Sequence, residues 1–271
     1  MKNISLLGCG WLGLPLAKAL LEKGFRLKGS TTSAEKLSAL ENTGIKPFLI
    51  RLNGDSVLGE IEGFLENSET LIIDIPPKLK GDSSASVGMS FGEKIATLIP
   101  FIEKSSIKNL LFVSSTSVYG EASGIITETT ALRPDTESGK QLVEAEQLLQ
   151  GNKKFKTTVV RFGGLIGEDR NPIRFLSGRE NIDHPDAPIN LIHQEDCIGI
   201  ILKIIADDCW NETFNAVTPV HPSREEYYTR KAIELGLSLP KFNHEKPSVG
   251  KTILSDKIQK ELLYTFTKTN L

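Results

Sequence analysis

With 271 residues and a net charge of −2, the chain can bury a large core and carries no charge excess that would draw it to nucleic acid or an anionic membrane surface. No apolar run approaches the roughly 20 residues of a membrane span, and no small-residue cleavage site follows the first apolar stretch, so a soluble, cytoplasmic protein without a secretory signal is expected. The three cysteines, Cys9, Cys197 and Cys209, form no Cys-x-x-Cys pair, which points to a reducing compartment and to no metal site or disulfide framework.

Met1–Leu7 predicts a short strand buried on both faces, followed at once by Gly8-Cys9-Gly10-Trp11-Leu12-Gly13. Leu12, Leu16, Ala19 and Leu20 then recur at helical spacing until Lys23-Gly24. Strand, Gly-x-Gly-x-x-Gly and helix in this order describe a dinucleotide-binding turn. The first glycine allows the tight turn, the second lets a pyrophosphate approach the backbone, and the third lets helix pack closely on strand. The helix N-terminus offers unpaired N–H groups and a positive dipole end to the phosphates. The alternative is a glycine-rich turn that packs strand on helix without a ligand, but the flanking strand and helix favour binding. Gly8, Gly10, Trp11, Leu12 and Gly13 are the first cofactor-binding candidates.

Gly24–Ser30 predicts a second strand, whose end is where an NAD site places an acidic residue on the ribose 2′-hydroxyl. Here the end reads Ser30-Thr31-Thr32-Ser33, with Lys36 one helical turn on. No carboxylate is read at this end, hydroxyls are plentiful and a cation is near, a composition that suits a 2′-phosphate, so the reading favours NADP over NAD. The alternative is that Ser33–Lys36 only starts the next helix, with Lys36 on its solvated face.

Further on, a helix is expected over Ser33–Asn42, a strand over Lys46–Arg51, a helix over Asp55–Leu65 and a buried strand over Glu69–Ile75. Pro76-Pro77 then stops the ladder, which puts Ile75 and Pro76 beside the cofactor at the carboxyl edge. A mobile loop is expected over Lys78–Met89, helices over Phe91–Glu103 and Thr136–Gln150, and strands over Asn109–Ser114 and Lys156–Phe162. This alternation predicts an α/β fold with a doubly wound parallel sheet. Beyond Gly163 the rhythm changes, with a strand over Ile189–Ile192, a helix over Glu195–Asp207, a strand over Thr213–Val217 and a helix over Ser223–Leu235. The expected division is a dinucleotide-binding domain over 1–165 and a small substrate lobe over 166–271, with 191–215 returning to the main sheet.

Ser114-Ser115-Thr116-Ser117-Val118-Tyr119-Gly120 resembles an extended short-chain dehydrogenase/reductase of the NAD(P)-dependent epimerase/dehydratase superfamily. So do Thr127–Thr130 with Arg133-Pro134, Val160–Gly167 and Asn190–Asp196, and the likeness covers nearly the whole chain. With its Gly-Trp-Leu-Gly start, the chain is similar to the atypical, YeeZ-like bacterial subgroup. The glycine spacing departs from the extended pattern: Leu7 stands at its first glycine, and Gly8 is shifted by one place.

The resemblance implies that Ser115 holds the reacting oxygen and that Lys140 is the catalytic lysine, which also contacts the nicotinamide ribose. It implies a tyrosine four residues before Lys140, where this chain has Thr136. A threonine hydroxyl is far less acidic than a phenol of pKa about 10, and no lysine makes it a proton shuttle near neutrality. Asp135 and Glu137 flank it, as proton carriers or as helix-start residues favoured by the dipole. Tyr119, Arg170 and His193 are substrate candidates. Tyr119 lies near the pocket without being the proton donor, and His193 is a substitute base or a cap. Arg170, Arg174 and Arg179 grip an anionic substrate or form a solvated face, and Tyr227 and Tyr228 pack. Helices 91–103 and 136–150 resemble the pair that often forms the family's homodimer. Two functions are open: an NADP-linked oxidoreductase or epimerase-like enzyme acting on a small, sugar-like or anionic substrate, or an NADP-binding sensor that has lost catalysis.

Overall fold

A computed structural model describes residues 2–53, 55–77 and 90–271; the loop expected over 78–89 lies outside them. The first half runs β1 (Asn3–Leu7), α1 (Gly13–Glu22), β2 (Arg26–Thr31), α2 (Leu37–Glu41), β3 (Lys46–Leu49), β4 (Arg51–Asn53), β5 (Ser56–Leu58), α3 (Ile61–Leu65), β6 (Thr70–Ile73), α4 (Phe91–Lys104) and β7 (Asn109–Ser115). It continues through β8 (Gly124–Ile126), α5 (Glu137–Gly151), β9 (Lys156–Phe162), β10 (Gly164–Ile166), β11 (Leu191–His193), α6 (Gln194–Ala206), β12 (Thr213–Ala216), α7 (Arg224–Glu234), β13 (Lys251–Ile253) and α8 (Asp256–Glu261).

Seven parallel strands form the main sheet in the order β12-β9-β7-β6-β1-β2-β3. The chain winds from β1 to β3 on one side and returns at β6 on the other. The direction therefore reverses between β1 and β6, and in open parallel sheets a ligand crevice opens at that point. Side chains alternate across each strand. Ile4, Leu6, Ile72, Leu111 and Val160 pack with Leu16, Leu20, Ile200 and Ile204 of α1 and α6. Leu7, Leu71, Ile73, Phe112 and Val159 pack with Phe64, Ile95, Leu98, Leu142 and Leu149 on the opposite face. This is the doubly wound α/β fold read from the sequence.

Two readings are corrected. The helix expected over Asp55–Leu65 is instead an antiparallel hairpin of β4 and β5 followed by the short α3. Gly59 separates them at φ +107°, where a Cβ would stand 2.0 Å from the Leu49 carbonyl oxygen, so a continuous helix is excluded. The strand expected over Ile189–Ile192 begins at Leu191 and ends at His193, paired with β10. A parallel ladder of β8 with β13 ties residues 124–126 to the C-terminal segment, and short bridges join Ile182 to Phe242 and Pro188 to Ser223. β12 is the edge strand of the main sheet beside β9.

Candidate cofactor and substrate cleft

The glycines of the turn after β1 are held there for different reasons. Gly8 has φ +110°, and a Cβ on it would lie 2.2 Å from the Asp74 carbonyl oxygen. A Cβ on Gly13 would lie 2.0 Å from the Gly8 carbonyl oxygen. At Gly10, by contrast, a Cβ meets nothing within 4 Å. Packing therefore fixes Gly8 and Gly13, while Gly10 leaves the backbone open to an approaching group. Leu12 at the N-cap gives α1 no side-chain cap. In the first turn the Leu14 amide donates to the Gly10 carbonyl at 3.1 Å, residue 15 is a proline without an N–H, and the Gly13 amide faces Asp74.

The hydroxyls expected to meet the adenosine ribose divide. Ser30 is buried; its Oγ accepts from the Gly8 amide at 3.0 Å and its carbonyl from the Cys9 amide at 2.8 Å. It anchors the glycine turn to β2 and faces inward. Thr31 is buried and its Oγ1 accepts from the Ser33 amide. Thr32 is exposed, and Arg51 donates to its carbonyl oxygen through Nε at 2.9 Å and Nη2 at 2.8 Å. Glu35 is also here, accepting from Ser33 Oγ at 2.5 Å. That hydroxyl, with Lys36 and Arg51, holds its carboxyl below the usual range. This corrects the reading of a β2 end without a carboxylate: it carries one, Glu35, held by the Ser33 hydroxyl, and two cations, Lys36 and Arg51.

Asp74, Ile75 and Pro76 follow β6 at the same edge. The Asp74 amide donates to the Leu7 carbonyl at 2.9 Å. Its Oδ2 lies 3.0 Å from where a Gly13 Cβ would stand, and the Gly13 amide favours its charged form. Burial outweighs that amide and pushes the carboxyl up to about 7. Ile75 Cγ2 would meet a Cβ on Gly8 at 2.9 Å, and Pro76 is exposed. Burial, with the Asp74 charge, pushes the Cys9 thiol up to about 12, which leaves it an inert filler.

Ser115 ends β7, half-buried, and its Oγ accepts from the Ser117 amide at 3.2 Å. Its own proton remains available to an oxygen in the cleft. The first turn of α5 lies against this turn, because a Cβ on Gly139 would be 2.9 Å from the Ser117 carbonyl oxygen. Lys140, one turn into α5, is exposed. Thr136 is the N-cap of α5: its Oγ1 accepts from the Gly139 amide at 3.1 Å. Asp135 and Glu137 beside it are exposed.

Tyr119 is placed differently from the expected substrate contact. It is fully buried, with its hydroxyl accepting from Arg161 Nη1 at 2.8 Å and donating to Asn215 Oδ1 at 2.7 Å. The phenol faces the core because Arg161 needs a partner there: its guanidinium also pairs with buried Glu146 at 2.6 Å, and Glu146 accepts from Ser114 Oγ at 2.5 Å.

On the lobe side, the Trp11 indole donates to Asp169 Oδ1 at 2.8 Å, and the Arg170 guanidinium stacks 5.0 Å from its ring. Gln194 Nε2 donates to the Trp11 carbonyl at 2.7 Å. Arg170 is therefore exposed at the mouth of the glycine turn. His193 caps α6, its Nδ1 accepting from the Glu195 amide at 3.2 Å. Arg174 and Arg179 are exposed, and Tyr227 is buried edge-to-face on Tyr228 at 5.1 Å. A further cation is Lys251, half-buried, which donates to the Gly120 carbonyl; burial pulls its pKa down against the raising charges of Asp135 and Glu121.

Sequence reasoning missed Asp74, Arg51 and Lys251. For Arg51 the usable signal was the neighbouring position of β2 and β3, which places the β3 end beside the β2 end. Among the described residues no group of three or more His, Cys, Asp or Glu could hold a metal, and no helix is long and apolar enough to cross a membrane.

No family profile matches the chain. Protein YeeZ of Escherichia coli K12 is 32% identical over 268 residues, 98% of this chain and 96% of YeeZ. UDP-glucuronic acid 4-epimerase from Bacillus cereus, solved in complex with NAD, superposes with a TM-score of 0.80 at 17% identity, covering 98% of this chain and 92% of that one. A short-chain dehydrogenase/reductase superfamily protein from Agrobacterium tumefaciens with bound NAD gives a TM-score of 0.78 at 15% identity, with the same coverage of 98% and 92%. The chain therefore belongs to the YeeZ family, built on the fold of the short-chain dehydrogenase/reductase and epimerase/dehydratase proteins.

Proposed function

We propose that this protein binds a nicotinamide dinucleotide, NADP in preference to NAD, for oxidoreductase or epimerase-like chemistry on a small, sugar-like or anionic substrate. The observation that carries the reading is the open backbone at Gly10 between β1 and α1, on the same sheet edge as Ser115. The NAD held by the A. tumefaciens and B. cereus proteins supports the cofactor class. Gly8, Gly10, Trp11, Leu12 and Gly13 would line the pyrophosphate, Ile75 and Pro76 would flank it, and Lys140 would contact the nicotinamide ribose. The cofactor supplies hydride chemistry when bound; Ser115 orients the substrate oxygen by donating its hydroxyl proton.

The 2′-phosphate preference moves from Ser30 and Thr31, whose hydroxyls are engaged inward, and from Ser33, whose hydroxyl donates to Glu35, to Thr32 and Arg51. Arg51→Ala is expected to weaken NADPH about tenfold, the loss of one charge-assisted contact, while NADH affinity stays within about twofold. Equal weakening of both nucleotides removes Arg51 from this role.

One observation favours a sensor without catalysis: the hydroxyl of Thr136, at the usual tyrosine position, is used as a helix cap. Turnover separates the two readings. With NADPH and a panel of small carbonyl substrates, the enzymatic reading expects measurable reduction and a drop in kcat of about a hundredfold in Ser115→Ala, as for loss of one oriented hydroxyl. NADPH binding without turnover on any substrate favours the sensor.

A further inference from the structure

Asp74 is a carboxyl that the dinucleotide reading leaves without a task. It stands at the carboxyl end of β6, at the crevice between β6 and β1, against the junction of Gly8 and Gly13. Its backbone fits there only because Gly8 lacks a Cβ, and its Oδ2 reaches the first residue of α1. The Gly13 amide that favours its charge is the first-turn donor of α1 that a pyrophosphate would share, since the Leu14 amide donates to the Gly10 carbonyl at 3.1 Å and residue 15 is a proline.

The groups facing it provide no positive charge. From the glycine turn comes the Cys9 thiol, and from α6 the Cys197 thiol, both held neutral by burial. From α1 comes only the Gly13 amide, and no Lys, Arg or His among the described residues acts on the carboxyl. At the mouth of the turn, Arg170 and Asp169 are both bound to Trp11. An ionised Asp74 would repel the pyrophosphate and compete with it for the pole of α1. A neutral Asp74 does neither.

We propose that Asp74 is a proton-dependent gate of the dinucleotide site: the pyrophosphate enters when the Asp74 carboxyl carries a proton and is disfavoured when it does not. The proposal rests on the dinucleotide reading above and adds to it a coupling between cofactor and proton. The direction follows from the chemistry. The carboxyl, raised by burial to about 7, is charged above that pH. Affinity is therefore full below it and falls as pH rises through it, by up to tenfold per unit.

The experiment is calorimetric titration of the whole protein and of Asp74→Asn with NAD+, which has no 2′-phosphate to titrate, at steps between pH 6 and pH 8.5. For a carboxyl titrating at about 7, the wild-type Kd is expected to rise about 30-fold over that range if only the protonated form binds. Asp74→Asn is expected to stay within about threefold. Repeating the wild-type titration at pH 8 in buffers of different ionisation enthalpy is expected to show close to one proton taken up per nucleotide. This second readout needs no variant and stands if Asp74→Asn fails to fold. An equal slope in both proteins, a flat wild-type profile, or no proton uptake overturns the gate while leaving the dinucleotide site intact. No binding at any pH, with NADP+ as well as NAD+, overturns the dinucleotide reading itself.

Discussion

Glu146→Ala is expected to destabilise the protein by about 3–5 kcal/mol, the effect of leaving a buried charge without its partner. Glu146 and Arg161 are 1% and 5% exposed, and their pairing is geometrically complete: Arg161 Nη2 donates to Oε2 at 2.6 Å, and Nε to both carboxylate oxygens at 3.1 and 3.2 Å. Removing the carboxylate strands the guanidinium and deprives Ser114 of its acceptor. Urea unfolding measures the loss. Glu146→Leu combined with Arg161→Met should recover much of it, because a neutral apolar pair of nearly the same volume avoids the stranded charge. A loss below about 1 kcal/mol in the single variant contradicts this account. The network also bears on the site, since Ser114 precedes Ser115 and Tyr119 closes the same turn.

Gly13→Ala is the second large effect, expected at roughly 3 kcal/mol or more, because the added methyl would force backbone apart in a packed junction. The new Cβ would stand 2.0 Å from the Gly8 carbonyl oxygen, with Asp74 Oδ2 at 3.0 Å behind it. Neither neighbour is the flexible end of a long side chain, so α1 itself must retreat from β1. A thermal melt reads the result. Gly13→Ala melting within a few degrees of wild type would mean that the close approach of helix and strand is unnecessary.

The parts of the fold that were legible in the sequence are those with long apolar runs. β6 is buried throughout, β1 and β9 at all but their first residue, and β7 over Leu110–Phe112, and parallel strands covered on both faces leave that imprint. The glycine turn was legible because its spacing encodes packing. The hairpin of β4 and β5, and β8 with its partner β13, were not. Each is three residues long and mostly exposed or half-buried, so no periodicity marks it. The site divided the same way. Ser115 and the start of α5 could be located from local motifs, whereas Tyr119 read as a pocket residue because its partners Arg161 and Asn215 are 42 and 96 residues away. Asp74 read only as the end of a strand, since its meeting with Gly13 depends on β6 lying beside β1.

The most direct test of the central claim is titration of the purified, nucleotide-free protein with NADPH and NADH, by fluorescence or calorimetry, beside Gly10→Val. A Cβ at this position meets no atom within 4 Å, so the variant should fold as wild type does while its side chain fills the approach to the backbone. Micromolar NADPH affinity, weaker NADH affinity and loss of both in a folded Gly10→Val are the predicted result. No affinity for either nucleotide in the wild type, or unchanged affinity in the variant, would contradict a dinucleotide site at this turn and leave its glycines to packing alone.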